Sequence, residues 1–333
     1  MADVTLPNWL ASDGGRTGRN RGQLVLLSGL VLATIFVALV LILNSAIYTE
    51  NLATRNDGVP TTDAIEYREN TRQGIAGAIE YVNRHARSRD KGDHRTALNE
   101  SIANWTNRSL QHVALNGRAA NVTLDRDSVS WGTRIGQNAD RNFTSASGAE
   151  VWTLANETNE TTSFRMNINR SGLDDRDRFG IQFANSSGNW DVLINRSNTS
   201  EIRVEGPNGA VCSMASRRAE LDVVAGTIRN ATNGTTEDCP AVDFFDPTGG
   251  KYNITYENAA NITGVYELSI RENPGNLNLL LGDYAEDSDP YFSYIIYEAT
   301  VDVSYESPSL RYESNVTVEP HDSGTIRPTE GTT

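Results

Sequence analysis

An uncharged run, Val25–Leu43, constrains this chain more than any other feature of its sequence, and only Ser28, Gly29 and Thr34 in it are not strongly apolar. About 20 apolar residues cross a hydrocarbon core of ~30 Å as a helix, because a helix satisfies its own backbone hydrogen bonds there. Three arginines at 16–21 precede the run without an intervening acid, whereas Glu50 follows it. The apolar length therefore predicts one transmembrane helix over 23–47. The positive-inside rule predicts that its N-terminus is cytoplasmic and that the C-terminal domain is extracellular.

Three interpretations of this segment differ in whether and where the chain is cut. A cleaved secretory signal has an apolar core of about 7–15 residues followed by an A-x-A site. The run here is longer and is followed by Asn44-Ser45-Ala46, without that site. The second interpretation, an uncleaved anchor, needs only the apolar length. The third depends on the residues in front of the run.

A basic residue, a glycine and a polar residue, Arg21-Gly22-Gln23, stand before the hydrophobic helix. This arrangement resembles the class III signal peptides of archaeal type IV pilin-like proteins. The resemblance implies that prepilin peptidase cuts between Gly22 and Gln23 on the cytoplasmic side and leaves the helix on the mature chain. It also implies three partners: the membrane, prepilin peptidase and other pilin-like subunits. Many pilins carry Glu at the fifth mature position, and this chain departs from them with Leu27.

The block Arg21–Arg55 resembles an uncharacterised haloarchaeal surface family, and this resemblance implies a location rather than an activity. The charge composition of the whole chain also favours a halophilic source. The chain has 43 acids, 29 bases and a net charge of −14, and only two of the bases, Lys91 and Lys251, are lysines. At molar salt the Debye length is about 3 Å, so an acidic surface repels itself little. The acidity also excludes nucleic acid as a partner, because phosphate binding needs a basic patch.

The only two cysteines, Cys212 and Cys239, agree with an exterior location. An oxidising compartment permits a disulfide between them, worth roughly 3–4 kcal/mol on the loop-entropy model. The alternative is a pair of buried thiols. Neither cysteine lies in a C-x-x-C motif, which argues against zinc binding and dithiol redox chemistry.

Sequons for N-glycosylation are strongly enriched beyond the apolar run. Of the 32 asparagines, 16 lie in Asn-x-Ser/Thr, although the serine and threonine content predicts about one in six. Because Asn-x-Thr is also ordinary turn chemistry, not every site is expected to be used. The predicted sites are Asn99, Asn104, Asn107, Asn121, Asn142, Asn156, Asn159, Asn169, Asn185, Asn195, Asn198, Asn230, Asn233, Asn253, Asn261 and Asn315.

The sequence predicts an α+β fold: an N-terminal transmembrane helix, two short amphipathic helices and an extracellular, antiparallel β-rich domain like a sandwich. Asp63 and Glu66 predict the start of the first amphipathic helix as an N-cap and N3 pair. The predicted segments are a leader over 1–22 that cleavage would remove, the transmembrane helix over 23–47, a linker over 48–60, a helical segment over 61–118, the β-rich domain over 119–320 and a disordered tail over 321–333.

Apolar spacing predicts which residues these elements bury. Helical spacing gives the stripe Ala64, Tyr67, Ile75, Ile79 and Val82, and then Leu98, Ile102, Trp105 and Val113. From about Asn121 the period falls to two, with turns every 8–12 residues or so, as in β-sandwiches. The clearest pattern is a C-terminal hairpin, Ile295–Tyr305 and Leu310–Val318. The other predicted strands are Ala120–Leu124, Glu150–Leu154, Ser163–Ile168, Phe179–Phe183, Trp190–Ile194, Glu201–Val204, Ala219–Val224, Gly250–Tyr256 and Gly264–Ile270.

No motif in the chain indicates catalysis. There is no H-E-x-x-H, nucleophile elbow, Walker loop or G-x-G-x-x-G, so we predict no catalytic residue, no cofactor, no metal site and no enzymatic activity. Two acidic clusters could supply oxygen ligands to Ca²⁺, but they lack EF-hand spacing, and hydrated surface loops are the better interpretation. They are Asp174, Asp175 and Asp177, and Asp283, Glu286, Asp287 and Asp289.

These patterns together predict a pilin-like or accessory cell-surface glycoprotein of a halophilic archaeon, with a structural role in assembly. The alternative is an uncleaved, membrane-anchored adhesin or ligand-binding surface module. The residues that separate the two are the predicted cleavage residues Arg21, Gly22 and Gln23.

Overall fold

The helices lie at the N-terminal end of the part of the chain that the computed structural model describes, which is residues 29–40, 59–158, 160–174, 176–197, 200–245 and 250–320. The chain divides into two units, Met1–Asp63 and Ala64–Thr333. In the first unit residues 29–40 form helix α1, and every one of their side chains is exposed.

Helix α2 spans Val59–His85 and helix α3 spans Lys91–Ala114. The predicted start of α2 at Asp63 is wrong, because the helix already begins at Val59. Proline is tolerated in a first turn, where its missing N–H costs no hydrogen bond, so Pro60 does not delay the helix. Helix α3 has the N-cap Asp90, whose side chain accepts a hydrogen bond from the Gly92 N–H at 2.7 Å.

Fifteen strands follow the helices within the described residues. Their bounds are β1 Ala119–Leu124, β2 Ser130–Asn142, β3 Trp152–Thr158, β4 Thr161–Asn169, β5 Phe179–Asn185, β6 Gly188–Ser197, β7 Glu201–Glu205, β8 Val211–Met214, β9 Arg218–Asp222, β10 Thr227–Asn230, β11 Thr236–Asp238, β12 Tyr252–Glu257, β13 Thr263–Ile270, β14 Tyr291–Ser307 and β15 Leu310–Val318.

These strands form two antiparallel sheets. The nine-stranded sheet runs in the order β1-β14-β2-β13-β4-β9-β10-β11, and β15 pairs with β14 beside this path. The six-stranded sheet has the order β3-β12-β5-β6-β7-β8. The α+β class and the antiparallel sheets predicted from the sequence are thereby confirmed.

The two sheets share one hydrophobic core, which we call the sandwich core, and it is rich in aromatic side chains. The ring of Phe143 lies 4.9 Å from that of Tyr266 and 5.6 Å from that of Phe179, between centroids. The Trp152 indole N–H donates to the Phe143 carbonyl at 2.8 Å. The largest fully buried side chains of this core are Ile135, Phe143, Leu154, Phe164, Met166, Phe179, Tyr256 and Tyr266.

A second core lies between the two helices and the β1-β14-β15 part of the nine-stranded sheet, and we call it the helix–sheet core. Every residue of the predicted α2 stripe is buried here, and the most exposed of them is Tyr67 at 7%. Leu98 and Ile102 of α3 are buried too, whereas Trp105 and Val113 are half-buried against the same core. The predicted amphipathic pattern of both helices therefore corresponds to their packing.

Strand β14 belongs to both cores. Phe292 near its start packs in the sandwich core, and Ile296 and Val301 pack in the helix–sheet core. Its pairing with β2 is irregular between Ile296 and Glu298, and such an irregularity changes which face successive side chains occupy. The simple alternation predicted from Ile295 onward is therefore wrong at its start.

Strand β2 was not predicted from the sequence, although it lies between β14 and β13 in the sheet. It contains Gly132 and Gly136, which weaken a strand signal because glycine has no side chain to pack. A Cβ at Gly132 would overlap the Tyr297 ring, and one at Gly136 would lie 3.2 Å from the Tyr291 hydroxyl. The glycines thus leave room for tyrosines of β14. The short strands β8, β10 and β11 were also missed, and β3 begins at Trp152 rather than Glu150.

Candidate functional site

The predicted cleavage residues Arg21, Gly22 and Gln23 lie outside the described residues, as do 23–28 and 41–47 of the predicted transmembrane helix. Among the helices of the described part of the chain, none has both the length and the apolar character needed to cross a membrane. Residues 321–333, the predicted tail, also lie outside the described part.

The candidate site that the structure does describe is the solvent-facing side of β1, β14 and β15, which we call the outer sheet face. The opposite side of these strands packs on the helices. Pairing aligns Asn121 with Ser304, and Asp302 with Asn315, so polar side chains from all three strands form cross-strand rows. The exposed residues of this face are Ala119, Asn121, Thr123, Asp302, Glu306, Arg311, Glu313, Asn315 and Thr317.

Two sequons lie on this face. In Asn121-Val-Thr123 and Asn315-Val-Thr317 the asparagine and the threonine are both exposed, because residues i and i+2 of a strand point to the same side. Since β14 separates their strands and their partners on β14 lie two residues apart, the two asparagines are about 12 Å apart on this face.

A shallow groove of about 190 Å³ runs beside Asn121 on this face. Its polar lining comes from Ser304, Glu306, Arg311 and Glu313. The Arg311 guanidinium donates to the Glu313 carboxylate at 2.8 Å, and this hydrogen bond raises the pKa of Arg311 above its usual value. The groove therefore offers a hydroxyl, two carboxylates and one guanidinium to a polar ligand.

Helix α3 carries three further sequons on its solvent side. Asn99, Asn104 and Asn107 are all exposed. In the Asn104 sequon the threonine, Thr106, is buried, and its hydroxyl donates to the Ile102 carbonyl at 2.8 Å. The threonines of the two sheet sequons, Thr123 and Thr317, are exposed instead.

The remaining described sequons are less accessible, apart from Asn233, which lies in an exposed turn with its side chain accepting from the Thr235 N–H. Asn159 and Asn198 are outside the described residues. The half-buried asparagines are Asn142, Asn156, Asn169, Asn185, Asn195, Asn253 and Asn261.

Asn230 is the one buried sequon asparagine among those described, at 7% exposure. Its side-chain oxygen accepts from the Ser216 hydroxyl at 2.9 Å and from the Thr232 N–H at 2.9 Å. Its amide nitrogen donates to the Ala215 carbonyl at 3.3 Å. These bonds fix the turn after β10, so this sequon has a structural role.

The predicted disulfide between Cys212 and Cys239 is confirmed, with the two Cα atoms 5.1 Å apart. Cys212 lies in β8 of the six-stranded sheet, and Cys239 directly follows β11 of the nine-stranded sheet. Both cysteines are part of the sandwich core. The bridge therefore joins the ends of the two sheets, which cysteine spacing alone did not indicate.

The turn between α2 and α3 holds cations over aromatic rings of β14, a contact that the sequence did not predict. The guanidinium of Arg87 lies 4.9 Å from the centre of the Tyr291 ring, and that of Arg89 lies 4.4 Å from the Phe292 ring. Burial raises the pKa of Tyr291, although the positive charge of Arg134 opposes this. These cation–π contacts stabilise the turn against the sheet.

One carboxylate of each acidic cluster accepts hydrogen bonds from backbone N–H groups. Asp174 accepts from the Arg176 N–H at 2.7 Å, and Asp289 accepts from the N–H groups of Asn138 and Ala139. Asp175 lies outside the described residues. Within the described part of the chain, no group of three or more His, Cys, Asp or Glu residues is placed to hold a metal ion.

One family model matches the chain, that of a family of unknown function, DUF7261, over residues 18–164. The match covers somewhat less than half of the chain and runs from just before the predicted anchor through α2, α3 and β1–β3 into β4. It shows which part of the chain is similar to this family and carries no activity with it. No curated protein and no solved structure matches the chain.

Proposed function

We propose that this protein is a membrane-anchored, pilin-like surface glycoprotein of a halophilic archaeon, with a role in assembly and none in catalysis. The observation that carries the proposal is the packing of α2 along an antiparallel sheet at the helix–sheet core. A pilin-like chain needs such a helix, which follows a hydrophobic N-terminal segment and holds the β domain by one apolar face.

Three further observations support this proposal. The similarity to DUF7261 begins before the predicted anchor and includes α2 and α3, so it spans the predicted anchor together with both helices. The disulfide between the sheets suits an oxidising exterior. The acidic composition with two lysines supports the halophilic source.

In the proposed mechanism, prepilin peptidase recognises Arg21 and Gly22 and cuts before Gln23. The apolar segment then stays in the lipid or packs against the same segment of other subunits. The β-sandwich is presented outside the cell. This chain supplies no compensating carboxylate at Leu27, so apolar packing would have to drive any assembly.

The test is intact mass and N-terminal sequencing of the protein from purified membranes. The proposal expects a mature chain that begins at Gln23, as cyclised pyroglutamate. An Arg21→Glu/Gly22→Asp variant should keep its leader. A matched Arg16→Glu/Gly18→Asp variant makes the same charge change away from the scissile bond and should still be cut. Cleavage of the first variant at Gln23 would overturn the proposal.

A second candidate function is an uncleaved, anchored adhesin. Leu280 and Leu281 favour it, because they are adjacent in an exposed loop at 61% and 63% exposure, and such apolar side chains suit contact with a partner. If the wild-type protein retains its first 22 residues, allowing for loss of Met1, this function replaces the pilin-like one.

A further inference from the structure

We infer that Asn121 and Asn315 carry N-linked glycans that together cover the outer sheet face, and that Asn230 carries none. The inference rests on the exterior location in the proposed function. It goes further by selecting among sequons that are equivalent in the sequence.

The first step is the accessibility of the reacting atoms. In the transfer, the asparagine amide nitrogen attacks the anomeric carbon of an oligosaccharide held on a lipid phosphate. The carbon–nitrogen bond forms, the bond from the sugar to the phosphate oxygen breaks, the phosphate leaves with the electron pair, and one amide proton is lost. Asn121 and Asn315 present this nitrogen and the partner threonine hydroxyl on the same exposed side of a strand.

The second step is the fit of the product. A glycan on Asn121 meets the open groove beside it, whose hydroxyl and carboxylates can hydrogen-bond to sugar hydroxyls. From Asn315, on the other side of β14, a second glycan extends over Asp302, its cross-strand neighbour. Two glycans about 12 Å apart, one in each of two neighbouring cross-strand rows, therefore cover both rows.

The third step is the exclusion of Asn230. A glycan on Asn230 would have to reach solvent from an asparagine that is only 7% exposed. It would also strain the hydrogen bond from the Asn230 amide nitrogen to the Ala215 carbonyl. Breaking this bond and exposing Ser216 leaves buried polar groups unsatisfied. Even if the unfolded chain were modified, folding would select against that product.

The fourth step is the consequence for contacts with partners. Helix α2 has no sequon, and the first one in the chain is Asn99 in α3. With glycans on both strands, the outer sheet face is closed to protein partners. Any contact between subunits is then left to the surfaces without sequons, such as α2.

The experiment uses the full chain, made in a host that glycosylates Asn-x-Ser/Thr outside its membrane, with intact mass and glycopeptide mapping as readouts. Asn121→Gln and Asn315→Gln should each lower the mass by one glycan. The matched Thr232→Ala variant destroys the Asn230 sequon but keeps the asparagine, and it should lose no glycan. Unmodified Asn121 and Asn315 in the wild type, or a glycan on Asn230, would overturn the inference.

Coverage of the face is measured with Asp302→Cys and a bulky maleimide. Labelling should be about tenfold faster when both asparagines are also changed to glutamine. Glu66→Cys on α2 is the control, and its rate should not depend on the glutamines. Equal rates at Asp302→Cys in both backgrounds would overturn the coverage.

Protease added to intact cells distinguishes failure of the exterior location from failure of the glycan inference alone. If the β domain is digested but no sequon is modified, the inference fails and the exterior location stands. If the domain is protected, the proposed function fails and the inference fails with it.

Discussion

The sandwich core and the helix–sheet core are built from different side chains. The sandwich core holds a network of aromatic rings, among them Phe143, Phe179 and Tyr256, together with the disulfide. The helix–sheet core is mainly aliphatic, with Tyr67 and Tyr305 as its buried aromatic residues. Large rings fill much of the space between the two sheets, whereas mainly aliphatic side chains fill the space between the helices and the sheet.

This difference indicates how each region is held together. The sandwich is stabilised by large buried areas and by a covalent link between its sheets. The helix layer depends on shape, since Gly74 of α2 provides the space for the indole of Trp105 in α3. Three experiments test whether the two regions respond independently.

The largest effect should come from Cys212→Ala/Cys239→Ala. The bridge spans a sequence separation of 27, and its loss should lower the free energy of unfolding by roughly 3–4 kcal/mol on the chain-entropy model. The measurement is denaturant unfolding combined with amide hydrogen exchange. Exchange should accelerate in β8 and β11 and stay slow in α2 and α3. Equal acceleration in the helices would show that the two cores unfold as one.

The next effect tests the helix layer. In Gly74→Ala the new Cβ would overlap the Trp105 ring, so we expect a loss of about 1–3 kcal/mol from overpacking, with altered tryptophan fluorescence. Gly77→Ala is the matched control in the same helix, because nothing lies within 4 Å of its added Cβ. That variant should be neutral or more stable by up to about 1 kcal/mol. If the two variants have the same stability, close approach at Gly74 is not what holds the helices.

The smallest effect concerns alkaline pH and the sandwich. Burial raises the pKa of Tyr252 to about 12, partly offset by the hydrogen bond from its hydroxyl to Thr161 at 2.6 Å. A folded-state pKa above the unfolded value of about 10 means that stability is full below pH 10 and is lost as pH rises toward 12. At pH 11 the loss from this residue should be about 1 kcal/mol.

Thermal unfolding between pH 9 and pH 11 measures this loss. Tyr252→Phe cannot ionise, so it should lose less stability over the interval than the wild type, even though it starts less stable. If the variant and the wild type lose stability in parallel, ionisation of Tyr252 is not the cause of the alkaline loss in the sandwich.

How far the sequence predicted the candidate site differs between its parts. Alternation in Leu310–Val318 predicted β15, and the sequon at Asn315 was visible, but its shared face with Asn121 depends on a pairing between distant strands. Asn230 and Asn121 are indistinguishable as sequons, and only burial separates them. The sequence did not predict the cation–π contacts of Arg87 and Arg89 in the α2–α3 turn, because their aromatic partners lie about 200 residues later in the chain.

The sequence by itself determined the elements whose information is local: two amphipathic helices, most strands of the β domain and the cysteine pair. Periodicity records which side of an element is buried, and that is enough to place Ile75 and Ile79 in a core. Only the tertiary structure decided that there are two cores joined by β14, that Gly132 and Gly136 lie in a central strand, and that the disulfide joins two sheets. These features come from contacts between residues far apart in the chain, and local patterns do not encode them.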